Sequence, residues 1–333
     1  MRFLARRIVL MFFVLWGVTF ITFFLSRVVP GDPARLIAGP HANAATLENI
    51  RAIYGLDRPL LDQYVSYTAG LLHGDLGTSF VTRRAVTADI GAFFPATLEL
   101  AVYALILSTA FGLLLGIVGA LRGGATDHVV QLLAIASLSV PAFWVAMLFQ
   151  VFLYSGLGWF PFGGRLETGV AAPPAVTGLF TIDSLLAGNL GLFLESAHHL
   201  VLPVVTLSLA LAGVMARITR GAMLQVLDED YVRTARSKGL SRLRVLTRHS
   251  LRNALIAPVT VLGLNLGLLA GGVFLVETIF AWPGIGRYAF NAIANSDYNA
   301  TMGVTLVVAV VYVGANLVVD LLYLLLDPRI RYA

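Results

Sequence analysis

Cysteine is absent from the chain, which excludes disulfides, thiol nucleophiles and thiolate metal sites. Charge is scarce: Asp, Glu, Lys and Arg make up 12% of the residues while 58% are hydrophobic, against roughly 25% charged in a soluble domain. No G-x-x-x-x-G-K-[ST] run occurs, so no phosphate-cradling loop of that kind is present to bind ATP. No internal repeat or low-complexity segment stands out. The chain therefore reads as an all-α polytopic membrane protein. Its net charge of +5 does not point to nucleic acid, because most of the cations flank apolar stretches, where the positive-inside rule places them.

What is present are long apolar runs. A spanning helix needs about 20 mostly apolar residues, and six segments meet or approach that: Ile8–Val29, Leu98–Leu121, Val129–Leu157, Leu200–Ala216, Leu255–Val276 and Met302–Leu326. The fourth is short and needs its flanks. Pro173, Pro174, Asp183 and Asn189 interrupt Val170–Leu194, which reads as loop with an interfacial helix. The first segment follows Arg2, Arg6 and Arg7 and lacks a small-residue cleavage site, so it reads as an uncleaved anchor with a cytoplasmic N-terminus. Alternation then places the Arg122 turn, the Arg217–Arg252 loop and the tail with Arg329 and Arg331 inside. Outside lie Pro30–Thr97, Gly158–His199 and Glu277–Ala300. The last two carry only Arg165 and Arg287. The first carries Arg35, Arg51, Arg58, Arg83 and Arg84, but long segments translocate largely regardless of charge.

Within Pro30–Thr97, "TLENIRAIYGL" predicts a short helix with Thr46 as N-cap and Gly55 as stop. "DRPLLDQYVSYTAGLLHG" predicts a second, from near Pro59 to Gly74, whose Leu60, Leu61, Tyr64, Tyr67 and Leu71 form an apolar face in need of burial.

The longest inside loop concentrates Arg233, Arg236, Lys238, Arg242, Arg244, Arg248 and Arg252. Acidic Asp228, Glu229 and Asp230 precede a helical stretch and cations close it, as the helix macrodipole favours. Gly239 is placed to be a left-handed C-cap, and Ser241 to cap a second helix, Arg242–Leu255. On charge alone this is a topogenic loop touching headgroups. A topogenic loop needs neither ordered helices nor a glycine turn. Those favour docking into a partner's groove, with Ala235 and Gly239 sharing a face without bulk.

"YVRTARSKGL…RHSLRNALIAPV" resembles the cytoplasmic loop shared by permease subunits of bacterial ABC importers. The family's Glu-Ala-Ala, three residues, then Gly falls on Arg233, Thr234, Ala235 and Gly239, with Arg for Glu and Thr for Ala. Its later Ile-x-Leu-Pro falls on His249, Ser250, Leu251 and Arg252, where only Leu matches. Those departures are typical of the dipeptide/oligopeptide/nickel branch. "VPGDP", "YGLDRPLLDQY", "LLHGDLGTSF", "ARITRGAMLQVL", "VETIFAWPGIGRYAFNAI" and "DLLYLLLDPRIRY" resemble, in order, the B-type permease of that branch.

The resemblance implies six transmembrane helices of the type I importer kind, with residues 1–97 as first helix plus helical extracytoplasmic loop and 98–333 as permease domain with a coupling loop, 217–252. It implies ATPase coupling through Arg233, Thr234, Ala235, Lys238, Gly239 and Leu240. The implied partners are a homologous C-type permease, two cytoplasmic ATPases that bind ATP and magnesium, and an extracytoplasmic binding protein. The location is the bacterial cytoplasmic membrane, and this subunit is no enzyme and holds no cofactor. Di- or oligopeptides are the expected cargo, with nickel or another small solute as the alternative within the family and a proton-coupled carrier using Asp320 or Glu99 as the remote one.

The remaining polar candidates read as structural. Gly112, Gly116, Gly119, Gly263 and Gly267 suit close helix packing. Asp320, one turn from Asn316, lies near Arg329 and Arg331 and reads as a capped or ion-paired carboxylate; Asn265 is a polar group in the fifth segment. Glu99 lies at the outer end of the second segment, within reach of water, and is assigned no role. His198 and His199, adjacent and with only Glu195 nearby, read as an interfacial pair rather than metal ligands. "WPGIG", Trp282–Gly286, reads as a tight external turn with an interfacial aromatic, a contact with substrate path or binding protein being the other reading.

Overall fold

A computed structural model describes residues 2–28, 34–35 and 42–326 of the chain. Among these every regular element is helical, apart from one isolated bridge between Thr78 and Ala85. In chain order they are α1 (Arg2–Val28), α2 (Ala44–Tyr54), α3 (Leu60–Leu72), α4 (Val86–Arg122), α5 (Gly124–Ser139), α6 (Ala142–Phe149), α7 (Phe180–Leu186), α8 (Leu190–Leu227) and α9 (Asp230–Ser237). A helical run in three pieces follows: Arg242–Arg244, a π-helical Val245–Leu251, and Arg252–Ala254. The last three are α10 (Ile256–Ile279), α11 (Ile285–Ala294) and α12 (Tyr298–Leu326). The motif "VPGDP", Arg329 and Arg331 lie outside the described residues, as do the side chain of Asp320 and the surroundings of Gly267.

Four described helices are long and apolar enough to cross a membrane: Arg6–Arg27, Val86–Arg122, Leu190–Leu227 and Tyr298–Val318. The pair α5 and α6, the latter extended by π-helical Gln150–Gly156, adds a fifth if counted as one span, although the two are bent by 96°. The third apolar segment is thus not a straight helix. The break falls at Val140 (ψ 121°) and Pro141 (ψ 135°), both extended. Proline removes an amide donor and pushes its predecessor out of the helical region. The fourth segment completes itself with its flanks, as a 38-residue helix.

Compact packing divides the chain into two units, Met1–Pro95 with Gly284–Val313, and Ala96–Pro283 with Gly314–Ala333. In the first, α3 packs on α1 through Phe23, Tyr64 and Tyr67, and the Tyr64 hydroxyl meets Thr19 Oγ1 at 3.2 Å. Leu60 and Leu61 stay exposed, while Tyr64 is buried and Tyr67 and Leu71 are half-buried, so the expected apolar face is covered in part. Helix α2 starts earlier than expected: Asn43, not Thr46, is its N-cap, its side chain accepting from the Thr46 amide at 2.8 Å. Gly55 ends it in the left-handed region (φ 61°). Buried Asp297 accepts from Ser79 Oγ at 2.5 Å and the Val81 amide at 3.1 Å, tying the 79–81 turn to the start of α12.

In the second unit α8 is the central helix, with 67% of its apolar window buried. A Cβ on Gly116 would lie 2.6 Å from both the Ala216 carbonyl oxygen and Thr219 Cβ, so the absence of a side chain there is what lets α4 touch α8. Gly112 abuts Met215 in the same way. This is the close backbone approach expected of small residues in membrane helices. Trp282 is 1% exposed and donates its Nε1–H to the Ala96 carbonyl at 2.9 Å. It is a buried clamp rather than an interfacial aromatic.

Candidate functional site

The basic elbow is built from α9, the 238–241 turn and the three-piece run. Lys238 ends α9 and Gly239 follows with φ 76°. The Gly239 amide donates to Arg236 O at 3.0 Å and the Leu240 amide to Ala235 O at 3.4 Å. That pair of bonds is the Schellman arrangement, completed by an apolar contact between the residue after the glycine and one in the last helical turn before it. Here Leu240 packs on the cluster of Val232, Ala235 and Val245, which are 0%, 5% and 3% exposed. Ser241 occupies the N-cap position of the next helix, but its side chain makes no capping bond.

The six residues expected to couple to a partner therefore divide. Arg233, Thr234, Lys238 and Gly239 are exposed. Ala235 is turned inward and does not share a free face with Gly239; its small side chain lets α9 lie against Val245. Leu240 is half-buried in the same seam. A Cβ on Gly239 would meet nothing within 4 Å, so glycine is required there by backbone conformation and not by crowding inside this chain. Arg233 reaches Asp230 at 3.6 Å on the surface.

A second polar cluster was not foreseen from sequence. Glu99 is 1% exposed and cannot reach water. Its Oε2 accepts from Arg165 Nη2 at 2.6 Å, and its Oε1 from the Thr181 amide and hydroxyl at 2.8 and 2.6 Å. Arg165 also donates to Gly178 O at 2.8 Å, and its guanidinium lies 3.4 Å from the centre of the Phe180 ring. Burial pulls the Arg165 pKa below its ordinary value, with Glu99 and Asp183 opposing. Burial would raise the Asp183 pKa, yet hydrogen bonds from Thr177, Gly178 and Val176 outweigh it and hold that carboxyl below its ordinary range. The cluster pins α7 and its loop to α4. The available signal was that Arg165 is the sole cation in its long stretch, and a lone cation among apolar residues calls for a carboxylate.

Each of the two histidines meets a backbone carbonyl, and His199 is buried. His198 Nε2 meets Trp159 O at 2.9 Å, and His199 Nδ1 meets Gly163 O at 3.0 Å. Among the described residues no group of three or more His, Asp or Glu could hold a metal ion. Asn265 is fully buried in α10, with neither side-chain polar atom hydrogen-bonded.

Comparison with known proteins gives this geometry a family. The model described as binding-protein-dependent transport system inner membrane component matches residues 108–332, and the N-terminal model of such components matches 1–101. The chain is similar to the probable D,D-dipeptide transport system permease protein of Escherichia coli (strain K12), 49% identical over 94% of this chain and 93% of that one. It is similar to the di/tripeptide transport system permease protein of Pseudomonas aeruginosa (strain UCBPP-PA14), 44% identical over 99% and 98%. To the glutathione transport system permease protein of Salmonella choleraesuis (strain SC-B67) it is 39% identical over 95% and 94%. Matched along nearly its whole length, with several membrane-crossing helices and an exposed basic elbow, the chain belongs to the family of binding-protein-dependent transport system inner membrane components.

Proposed function

We propose that the chain is the permease subunit of an ATP-driven importer of dipeptides or short oligopeptides, forming half of the translocation pathway. The observation that carries this is whole-length similarity to permeases named for di- and tripeptides. The other half is a homologous C-type permease. Two cytoplasmic ATPase subunits bind the ATP and magnesium, and an extracytoplasmic binding protein delivers the cargo. The elbow is the coupling element: Arg233, Thr234, Lys238 and Gly239 face an ATPase groove, while Ala235 and Leu240 hold the turn in shape. Six spans are crossed, with both termini in the cytoplasm; α10, 24 residues long and apolar, supports the sixth. Residues 1–97 supply the first span and the extracytoplasmic helical loop, and 98–333 the permease core with the coupling loop 217–252.

The test is uptake of a labelled dipeptide into proteoliposomes holding the complete complex, with ATP inside and binding protein outside. Uptake is expected to need ATP and the ATPase subunits and to survive a protonophore. Uptake that persists without ATP and collapses with the protonophore would sink the reading.

A further inference from the structure

Between the end of α4, the end of α8 and the elbow lies a cleft of ≈ 740 Å³. Leu121, Leu227, Leu240 and Leu246 form much of its wall, and Arg236 and Arg242 stand in it. Both arginines are exposed, and among the described residues neither has an ion-pair partner. Asp228, Glu229 and Asp230 sit on the neighbouring corner without lining the cleft, and Asp230 is engaged by Arg233. Two leucines of the lining are open to the surroundings, Leu121 at 46% and Leu243 at 70% exposure. Leucine beside arginine on an open surface is the composition of a bilayer boundary. Leu121 is the penultimate residue of a helix long and apolar enough to cross a membrane, so the cleft opens at the level where headgroups lie. Lys238 and Gly239, the tip of the elbow offered to an ATPase, are not in its lining.

We propose that this cleft holds an anionic phospholipid, its phosphate on Arg236 and Arg242 and its upper acyl carbons on the leucine wall. Two guanidiniums match a phosphate by charge and by paired N–H donors, and an apolar wall suits a chain-bearing molecule rather than a free anion. The site fastens the elbow to the end of α4. The proposal needs α4 to cross a membrane; it does not depend on the cargo.

The purified complete complex is equilibrated with equal amounts of phosphatidylglycerol and phosphatidylcholine, and bound lipid is read by native mass spectrometry. The wild type is expected to retain phosphatidylglycerol preferentially. Each Arg→Gln change should weaken that retention about 5-fold, and Arg236→Gln with Arg242→Gln about 30-fold, at the usual contribution of one cation near an anionic surface. The Arg→Lys pair should keep most of it. If the double Gln variant does not assemble, the single variants read the same quantity. Equal retention of the two lipids, or unchanged retention in the Gln variants, overturns the proposal. So does displacement of the lipid by inorganic phosphate, which would make the cleft an anion site. Loss of ATPase subunits from the double Gln variant with lipid retention intact would make it a protein seat, and also overturns it.

Discussion

Glu99 shows how much one buried carboxylate can hold. It receives a guanidinium, an amide and a hydroxyl, and the Tyr103 hydroxyl extends the network to Thr181 at 3.1 Å. Such a network is favourable while complete and costly when one member is lost, because the survivor keeps its desolvation penalty without its partner. Glu99→Gln removes the charge and leaves Arg165, 8% exposed, without the carboxylate it is paired with. The expected loss is roughly 3 kcal/mol, read as a lower midpoint of thermal unfolding in detergent. Removing both charges, as Glu99→Gln with Arg165→Met, should recover a good part of that loss. A double variant worse than the single one by the full cost of a second lesion would show that the pair is not the unit. The same geometry bears on mechanism. A carboxylate fixed by three donors is built to stay where it is, which suits a clamp and not a proton carrier.

The elbow is an element whose outline is legible in sequence and whose facing is not. Cations at the end of a short amphipathic stretch, then glycine, then leucine, spell a helix closed by a left-handed turn, and the turn is there with φ 76° at Gly239. The inward face was marked by Val232 and Ala235, spaced three apart, but eight residues of helix offer too few positions for the stripe to outweigh the attraction of a small residue near the turn. Prolines mislead in a similar way. Pro95 and Pro203 lie inside α4 and α8 without ending them, whereas Pro141 marks a 96° bend. Only the packing around each decides, because neighbouring helices can satisfy the amide partners that a membrane proline frees. The docking role makes a sharp demand on Gly239. Asparagine tolerates the left-handed region and leucine does not, at about 1 kcal/mol; both place atoms in space that is open in this chain. If a partner fills that space, Gly239→Leu should abolish most dipeptide uptake and shed ATPase subunits, and Gly239→Asn should lose uptake while the isolated permease pair keeps its stability. If Gly239→Asn transports as the wild type does, the position matters for backbone conformation alone.

Orientation is a property of the whole molecule, set by where Lys and Arg lie in the loops flanking its spans. Gly158–His199 carries a single cation, Arg165, which is ion-paired with Glu99 at 2.6 Å. The elbow carries seven: Arg233, Arg236, Lys238, Arg242, Arg244, Arg248 and Arg252. That asymmetry in Lys and Arg supports the proposed placement of the elbow inside. Because the chain has no cysteine, single cysteines report position without background. Ser66 on α3 and Ser237 at the end of α9 are both exposed, so a difference in their labelling reads sidedness and not burial. In sealed right-side-out vesicles, Ser66→Cys should react with a membrane-impermeant maleimide and Ser237→Cys should react only after permeabilisation. Labelling of Ser237→Cys in intact vesicles with Ser66→Cys protected would invert the proposed topology. Labelling of both would require an even number of crossings between α3 and α9 and remove one of the three spans assigned there.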